Sequence, residues 1–113
     1  MQRLPARIVN GAQLTVIVTI YFTSPANTLT TISACSVTNT TATARTLTMH
    51  LVPNAGTADA TNVICSARVV AAGETYNVAG AIGQTIPAGG TLQALSDAAA
   101  ALTLVASGYS TNP

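Results

Sequence analysis

Residues 21–53 read YFTSPANTLTTISACSVTNTTATARTLTMHLVP, and they give the clearest indication of the fold class. Threonine, serine and asparagine fill its polar positions, and Arg45 is its one formally charged residue. Threonine and β-branched apolar residues are frequent in strands, whereas SPANT at 24–28 is a turn signal. The stretch therefore predicts β-strands joined by turns, with hydroxyl groups at the positions where most proteins place charges.

Apolar and polar residues alternate with a period of two through most of the chain, which predicts strands with one buried face. Clear examples are the stretch over 13–22 and RTLTMHLV over 45–52. The residues that share one face of each predicted strand are Leu14, Val16, Val18, Ile20 and Phe22; Ser33, Cys35 and Val37; Leu47, Met49 and Leu51; Val63, Cys65, Ala67 and Val69; Leu92 and Ala94; and Leu102, Leu104 and Ala106. His50 is predicted to point away from the face of Met49, and both cysteines are predicted to point inward.

Turn and loop signals separate these strands at intervals of about 8–12 residues. They are SPANT (24–28), VPNAGTADATN (52–62), AAGET (71–75), IPAGGT (86–91) and SDAAA (96–100), with short strands between them at about 75–79 and 82–86. We therefore expect an all-β fold, a single β-sandwich or jelly-roll-like domain of about eight antiparallel strands. The domain is expected over 13–113. An N-terminal arm or extended segment is expected over 1–12, where Pro5 and Gly11 interrupt the pattern.

The chain is unusually poor in charge. Charged residues make up 6% of its 113 residues, against roughly 25% in an average soluble domain. Hydrophobic residues make up 49% and the mean hydropathy is +0.47, a composition opposite to that of a disordered chain. Because no apolar run approaches the roughly 18 residues of a membrane span, we expect an exterior covered by other protein. A soluble monomer coated with threonine and serine is the alternative.

Nucleic acid and membranes are not expected as partners. The four arginines are scattered along the chain, and phosphate backbones need a concentrated basic patch. Arg3 and Arg7 precede an apolar stretch as in a secretory signal, but Pro5, Asn10 and Gly11 interrupt the approach and no small-residue cleavage site follows. We therefore expect no secretory signal, with the cysteines as free thiols.

Candidate catalytic and metal-ligating groups are few and dispersed. They are His50, Cys35, Cys65, Asp59, Glu74 and Asp97. One histidine and two cysteines thirty positions apart do not supply the four ligands of a structural zinc site, and no phosphate-binding loop is present. We expect no enzyme activity, no metal and no cofactor. The glycosylation sequon at 39–41 is interpreted as a chance match.

The segment over 21–76 resembles a group of small tailed-bacteriophage proteins. The shared features are a Pro-Ala-x-Thr turn, an Asn-Thr step, a strand ending in His-Leu-Val-Pro, a Gly-Thr-Ala loop and a Gly-Glu-Thr turn, here Pro25–Thr28, Asn39–Thr40, His50–Pro53, Gly56–Ala58 and Gly73–Thr75. IPAGGTLQAL at 86–95 is also similar, and the resemblance covers about residues 20–108. It implies a non-enzymatic virion structural protein, present in many copies on the head or the tail and assembled in the bacterial host cytoplasm.

We expect a capsid cement or decoration protein that stabilises contacts between major capsid subunits. A tail, connector or baseplate component is the alternative, and a carbohydrate-binding receptor module is a further one. The expected partners are the major capsid protein and further copies of the chain in a homotrimer or homodimer. The residues expected to make these contacts are Arg3, Arg7, Pro53, Asn54, Thr57 and Asp59, on the N-terminal segment and the 53–62 loop.

Overall fold

The computed structural model describes residues 3–111, which form nine β-strands and no helix. The strands are β1 (Arg3–Gln13), β2 (Thr19–Thr23), β3 (Leu29–Asn39), β4 (Arg45–Val52), β5 (Val63–Val70), β6 (Thr75–Asn77), β7 (Thr85–Ile86), β8 (Thr91–Ser96) and β9 (Leu102–Thr111). Strand β4 begins and ends where the sequence predicts it. The short strands β6 and β7 fall near the two short segments expected from the pattern.

The nine strands form two antiparallel sheets. The first sheet has the order β1-β9-β3-β6, and β7 pairs with β3 beyond the end of β6. The second sheet has the order β2-β8-β4-β5. The predicted all-β fold, with a single β-sandwich of antiparallel strands, is confirmed.

One layer of apolar side chains fills the space between the sheets. Its largest fully buried apolar members are Leu14, Ile32, Val37, Leu47, Met49, Val70, Val78, Ile86, Leu92, Leu102 and Leu104. The predicted alternation is confirmed in β8, where Leu92 and Ala94 are buried, and in β9, where Leu102, Leu104 and Ala106 are buried. Burying each large aliphatic side chain contributes about 1.5–3 kcal/mol, so this layer dominates the stability of the domain.

The single strand predicted over 13–22 is wrong. Leu14 is fully buried, but the chain then leaves the first sheet, and residues 14–18 connect β1 to β2 in the second sheet. The residues assigned to the same face as Leu14 are instead exposed: Val16 by 54%, Val18 by 41% and Ile20 by 55%. The Leu14 N–H donates to the carbonyl of Leu102, the first residue of β9. The pairing of β1 with β9 therefore ends at this point, and the chain changes direction.

The N-terminal segment is not an arm outside the domain. It is extended, as expected over 1–12, but its described residues belong to β1, which pairs with β9 along its whole length. Register shifts at Ile8 and at Gly11, whose φ is +89°, interrupt the sequence pattern without ending the strand. The first two residues lie outside the described part of the chain.

Bulges also change which side chains face the core in β3 and β5. A register shift at Ser33 places both Ile32 and Cys35 in the core, although strict alternation puts them on opposite faces. In β5, Ala67 has a φ of +47°, and beyond this bulge Val70 is the buried residue. A bulge inserts one unpaired residue into a strand. Beyond it, the side chains that face the core are the ones that strict alternation would place on the outer face.

Asn39, at the end of β3, forms hydrogen bonds that link the two sheets. Its Nδ2 donates to the carbonyls of Val70, at 2.9 Å, and Thr43, at 2.8 Å. Its Oδ1 accepts from the N–H of Thr41, at 2.9 Å, and from the hydroxyl of the same residue, at 2.7 Å. The fully buried amide therefore uses both donors and both acceptor positions, which leaves no amide nitrogen for a glycan at 39–41.

Replacing Asn39 by alanine is expected to lower the free energy of unfolding by about 3 kcal/mol, because it leaves buried carbonyl groups without donors. Urea denaturation followed by circular dichroism measures this change. Asn77→Ala is the matched control, since Asn77 is exposed on β6, and it is expected to change the free energy by less than about 0.5 kcal/mol. A loss below about 1 kcal/mol for Asn39→Ala contradicts the role given to this side chain.

Candidate functional site

Each carboxylate of the described residues accepts a hydrogen bond from a neighbouring group. Asp59 accepts from Thr61, Glu74 accepts from the Ala71 N–H, and Asp97 accepts from the Thr46 N–H. The hydroxyl and then the N–H of Thr61 hold the pKa of the Asp59 carboxyl below its ordinary value. Within residues 3–111, no three His, Cys, Asp or Glu side chains are grouped so that they could hold a metal ion.

His50 is enclosed by the loop that follows its strand. Only 9% of the residue is exposed, and its Nδ1 lies 2.9 Å from Oδ1 of Asn62, so Nδ1 carries the proton of this hydrogen bond. Asn62 also donates to the Thr57 carbonyl at 2.9 Å and accepts from the Asp59 N–H at 3.1 Å. The 53–62 loop therefore has a fixed shape organised around one amide.

Four of the predicted contact residues lie on this exposed loop: Pro53, Asn54, Thr57 and Asp59. The side chain of Asn54 lies against Gly89, where an added Cβ would approach Asn54 Oδ1 to 2.6 Å. The Gly89 N–H in turn donates to the Ser24 carbonyl. Loops 24–28, 53–62 and 87–90 thus meet at one end of the sandwich, where they border a cleft of about 490 Å³. We call this group of loops the cleft end.

The two predicted arginines lie in different places. Arg3 pairs with Thr111, which also pairs with Leu29 next to the 24–28 loop, so its backbone lies towards the cleft end. Arg7 lies on the outer face of the first sheet, where its guanidinium donates to Asn10 Oδ1 at 3.1 Å. The structure therefore gathers the loop residues and the backbone of Arg3, and it separates Arg7 from them.

The outer face of the first sheet is rich in hydroxyl groups. Outward residues of β3, β6 and β9 include Thr31, Ser33, Ser36, Thr38, Thr75, Thr103, Ser107 and Tyr109. One row crosses three strands from Thr103 to Thr38 to Thr75, and the last two hydroxyl oxygens are 2.9 Å apart. A shallow cleft of about 400 Å³ lies beside this face, lined by Pro5, Arg7, Ser33, Ser107, Gly108 and Tyr109. The surface is polar but carries little charge.

An exposed apolar loop joins β1 to β2 at the end of the sandwich opposite the cleft end. Val16, Ile17 and Val18 are 54%, 72% and 41% exposed. The hydroxyls of Thr15 and Thr19 each lie 2.8 Å from the Ile17 carbonyl oxygen and 2.9 Å from one another. These bonds satisfy the backbone at the tip of the loop and hold its apolar side chains outward.

A second loop lies beside this one and is also apolar. The Thr15 carbonyl accepts from the Ser96 N–H at 2.9 Å, which fixes the 97–100 loop next to the 15–18 loop, and Ala99 and Ala100 are exposed. The ionised groups nearby neutralise each other, since Arg45 Nη1 lies 3.9 Å from Asp97 Oδ2. We call the 15–18 and 97–100 loops together the apolar end.

Sequence reasoning missed the apolar end because residues 13–22 alternate as a strand does. The signal that could have found it is Val16–Val18, three consecutive β-branched apolar residues that a strand with one solvent face cannot bury together. In the structure, Thr15 and Thr19 bind the Ile17 carbonyl and fix the shape of the loop.

Comparison of the chain with protein-family models and with curated proteins finds no match. In the part of the chain that the structure describes, no helix has the length and apolar character needed to cross a bilayer. The resemblance to bacteriophage proteins therefore stays a prediction.

Replacing Asn62 by alanine is expected to loosen the 53–62 loop, because His50, Thr57 and Asp59 lose their common partner. We expect a free energy of unfolding lower by about 2 kcal/mol and faster hydrogen exchange at the Asp59 amide, measured by urea denaturation and NMR. Thr57→Ala is the control, since it keeps the carbonyl that accepts from Asn62. Wild-type exchange at Asp59 in the Asn62→Ala variant would show that the amide does not organise the loop.

Proposed function

We propose that this chain is a non-enzymatic structural protein of a tailed-bacteriophage virion, a capsid cement or decoration protein that binds between major capsid subunits. The observation that carries the proposal is the apolar end, where a rigid loop exposes Val16, Ile17 and Val18 beside exposed alanines. Contiguous apolar surface of this kind marks interaction sites in soluble proteins.

The energetics favour docking of the apolar end onto another protein. Full burial of one valine or isoleucine contributes about 1.5–3 kcal/mol. The Thr15–Thr19 bonds order the loop before it binds, so little conformational entropy is lost on contact. The nearby Arg45 and Asp97 already pair with each other. Docking therefore does not desolvate a charged group that lacks a partner.

The hydroxyl-rich face supplies a second contact surface of different character. Hydroxyls both donate and accept hydrogen bonds, so they adapt to many partner groups at a lower desolvation cost than charges. Weak contacts of this kind gain strength when many copies bind a repeating lattice. The cleft end, with Pro53, Asn54, Thr57 and Asp59, is proposed to contact neighbouring subunits, as are Arg3 and Arg7. Homotrimers or homodimers match the local symmetry of such a lattice.

A tail, connector or baseplate role uses the same surfaces and differs in copy number. Quantitative mass spectrometry of purified virions separates the two, because a decoration protein is present in hundreds of copies and a tail component in a few to dozens.

A carbohydrate-binding receptor module is the second candidate function. The observation that favours it is the 400 Å³ cleft, which is lined by Tyr109, Arg7 and Ser107 among others. Aromatic faces and polar groups in a cleft are common features of ligand sites. Binding to a glycan array that is lost in Tyr109→Ala would support this function, and no binding to any glycan would exclude it from further consideration.

Replacing Ile17 by aspartate is expected to reduce the copy number of the protein on assembled virions at least tenfold, because an unpaired carboxylate at a buried contact costs several kcal/mol. The measurement is mass spectrometry of gradient-purified virions that carry the variant in place of the wild-type chain. Ile82→Asp is the control, since Ile82 is 46% exposed in the segment that binds β3 at Ile32, away from the apolar end, and wild-type copy number is expected.

Two results contradict the proposal. The wild-type chain is not found in virions, or Ile17→Asp binds virions as well as Ile82→Asp does. Circular dichroism of both variants checks that neither substitution unfolds the domain.

A further inference from the structure

The two cysteines lie in the same core from opposite sheets. Cys35 is on β3 of the first sheet, 3% exposed, and belongs to the buried apolar cluster. Cys65 is on β5 of the second sheet, half-buried, and packs against the same cluster. The sequence predicted that both cysteines point inward, and the structure places both against the core.

The backbone around the cysteines holds the two strands close to each other. The Val78 N–H donates to the Cys35 carbonyl at 3.0 Å. Two residues later, Gly80 is pressed against the carbonyl of Ile64, the neighbour of Cys65, so closely that an added Cβ would lie 2.5 Å from that oxygen. The 78–80 segment therefore connects the backbone at Cys35 to the backbone beside Cys65.

A second contact joins β5 to β6, the strand that pairs with β3. The Arg68 guanidinium on β5 lies 4.4 Å from the centre of the Tyr76 ring on β6, and Tyr76 pairs with Val37 on β3. Contacts therefore flank the cysteines on both sides. This keeps β5, an edge strand of the second sheet, beside β3 and β6 of the first.

The surroundings of the two thiols raise the pKa of each. Burial, and after it the nearby Cys65 group, raises the pKa of the Cys35 thiol to about 12. Burial likewise raises the pKa of the Cys65 thiol. The Cys65 Sγ lies 3.8 Å from the Leu47 carbonyl oxygen, to which it donates. The protonated thiols are therefore stable in the reduced protein, and both border the same apolar cluster.

We propose that Cys35 and Cys65 are an oxidisable pair that forms a disulfide between the two sheets when the folded protein meets a small-molecule disulfide such as oxidised glutathione. The dithiol form is the one in the structure. The disulfide form links the sheets covalently across the core. This inference is independent of the proposed virion function.

The reaction is two successive thiol–disulfide exchanges. The more exposed Cys65, as a thiolate, attacks one sulfur of oxidised glutathione, breaks its S–S bond and releases one glutathione thiolate. Cys35, after losing its proton to solvent, attacks the Cys65 sulfur of the mixed disulfide and releases the second glutathione thiolate. The protein loses two electrons and two protons, and one oxidised glutathione becomes two reduced glutathione molecules.

Tryptic mass spectrometry tests the proposal directly. Cleavage after Arg7, Arg45 and Arg68 places Cys35 in peptide 8–45 and Cys65 in peptide 46–68. After the native protein is incubated with oxidised glutathione, we expect these peptides as one linked species in a monomeric chain, separated by dithiothreitol. We also expect the oxidised protein to unfold at a temperature about 10 °C higher, reversibly on reduction.

Cys65→Ser is the matched variant, and it is expected to show no linked species and no rise in unfolding temperature. A glutathione adduct on Cys65 with Cys35 still free would overturn the proposal, because the second exchange then fails. A disulfide between two chains, unmodified thiols after prolonged incubation, or a linked form with a lower unfolding temperature would each overturn it as well.

Discussion

The packing of two sheets across one apolar layer holds the domain together. Leu47, Leu92 and Leu104, from three strands in the two sheets, are fully buried in it. Charge contributes little, because the Arg45–Asp97 pair is partly exposed and its atoms are 3.9 Å apart. Asn39 adds the directional bonds that the apolar layer lacks, so one amide fixes how β3 meets β5.

Hydroxyl groups take over tasks that charged side chains perform in other domains. Thr15 and Thr19 satisfy the Ile17 carbonyl, and Thr41 satisfies Asn39. These bonds are local, so each loop keeps its shape without an ion pair that a partner would have to desolvate. The use of hydroxyl groups therefore accounts both for the low charge of the sequence and for the rigidity of its loops.

The sequence predicted the sandwich because several strands obey strict alternation. β8 and β9 lie inside their sheets and keep the period of two, so their core residues were identified correctly. The pattern failed where a residue is inserted, at Ser33 and Ala67, and where the chain changes sheets after Leu14. Bulge positions depend on how neighbouring strands twist and pair, which a single strand's residues do not encode.

The same physics limits what could be predicted of the candidate site. The exposure of the 53–62 loop followed from its turn residues, and the structure confirms it. The apolar end was missed because it exists only once β1 and β2 enter different sheets. Its meeting with the 97–100 loop joins segments about eighty residues apart, which no local pattern contains.

The outermost strands have a consequence for how the molecule behaves at high concentration. Pro5 has no N–H to offer from β1, that strand bulges at Ile8 and Gly11, and β5 bulges at Ala67. These irregularities deprive an incoming strand of a straight, continuous template. Crowded copies therefore resist growth into cross-β fibrils even though the apolar end is exposed, and each copy stays a separate folded unit.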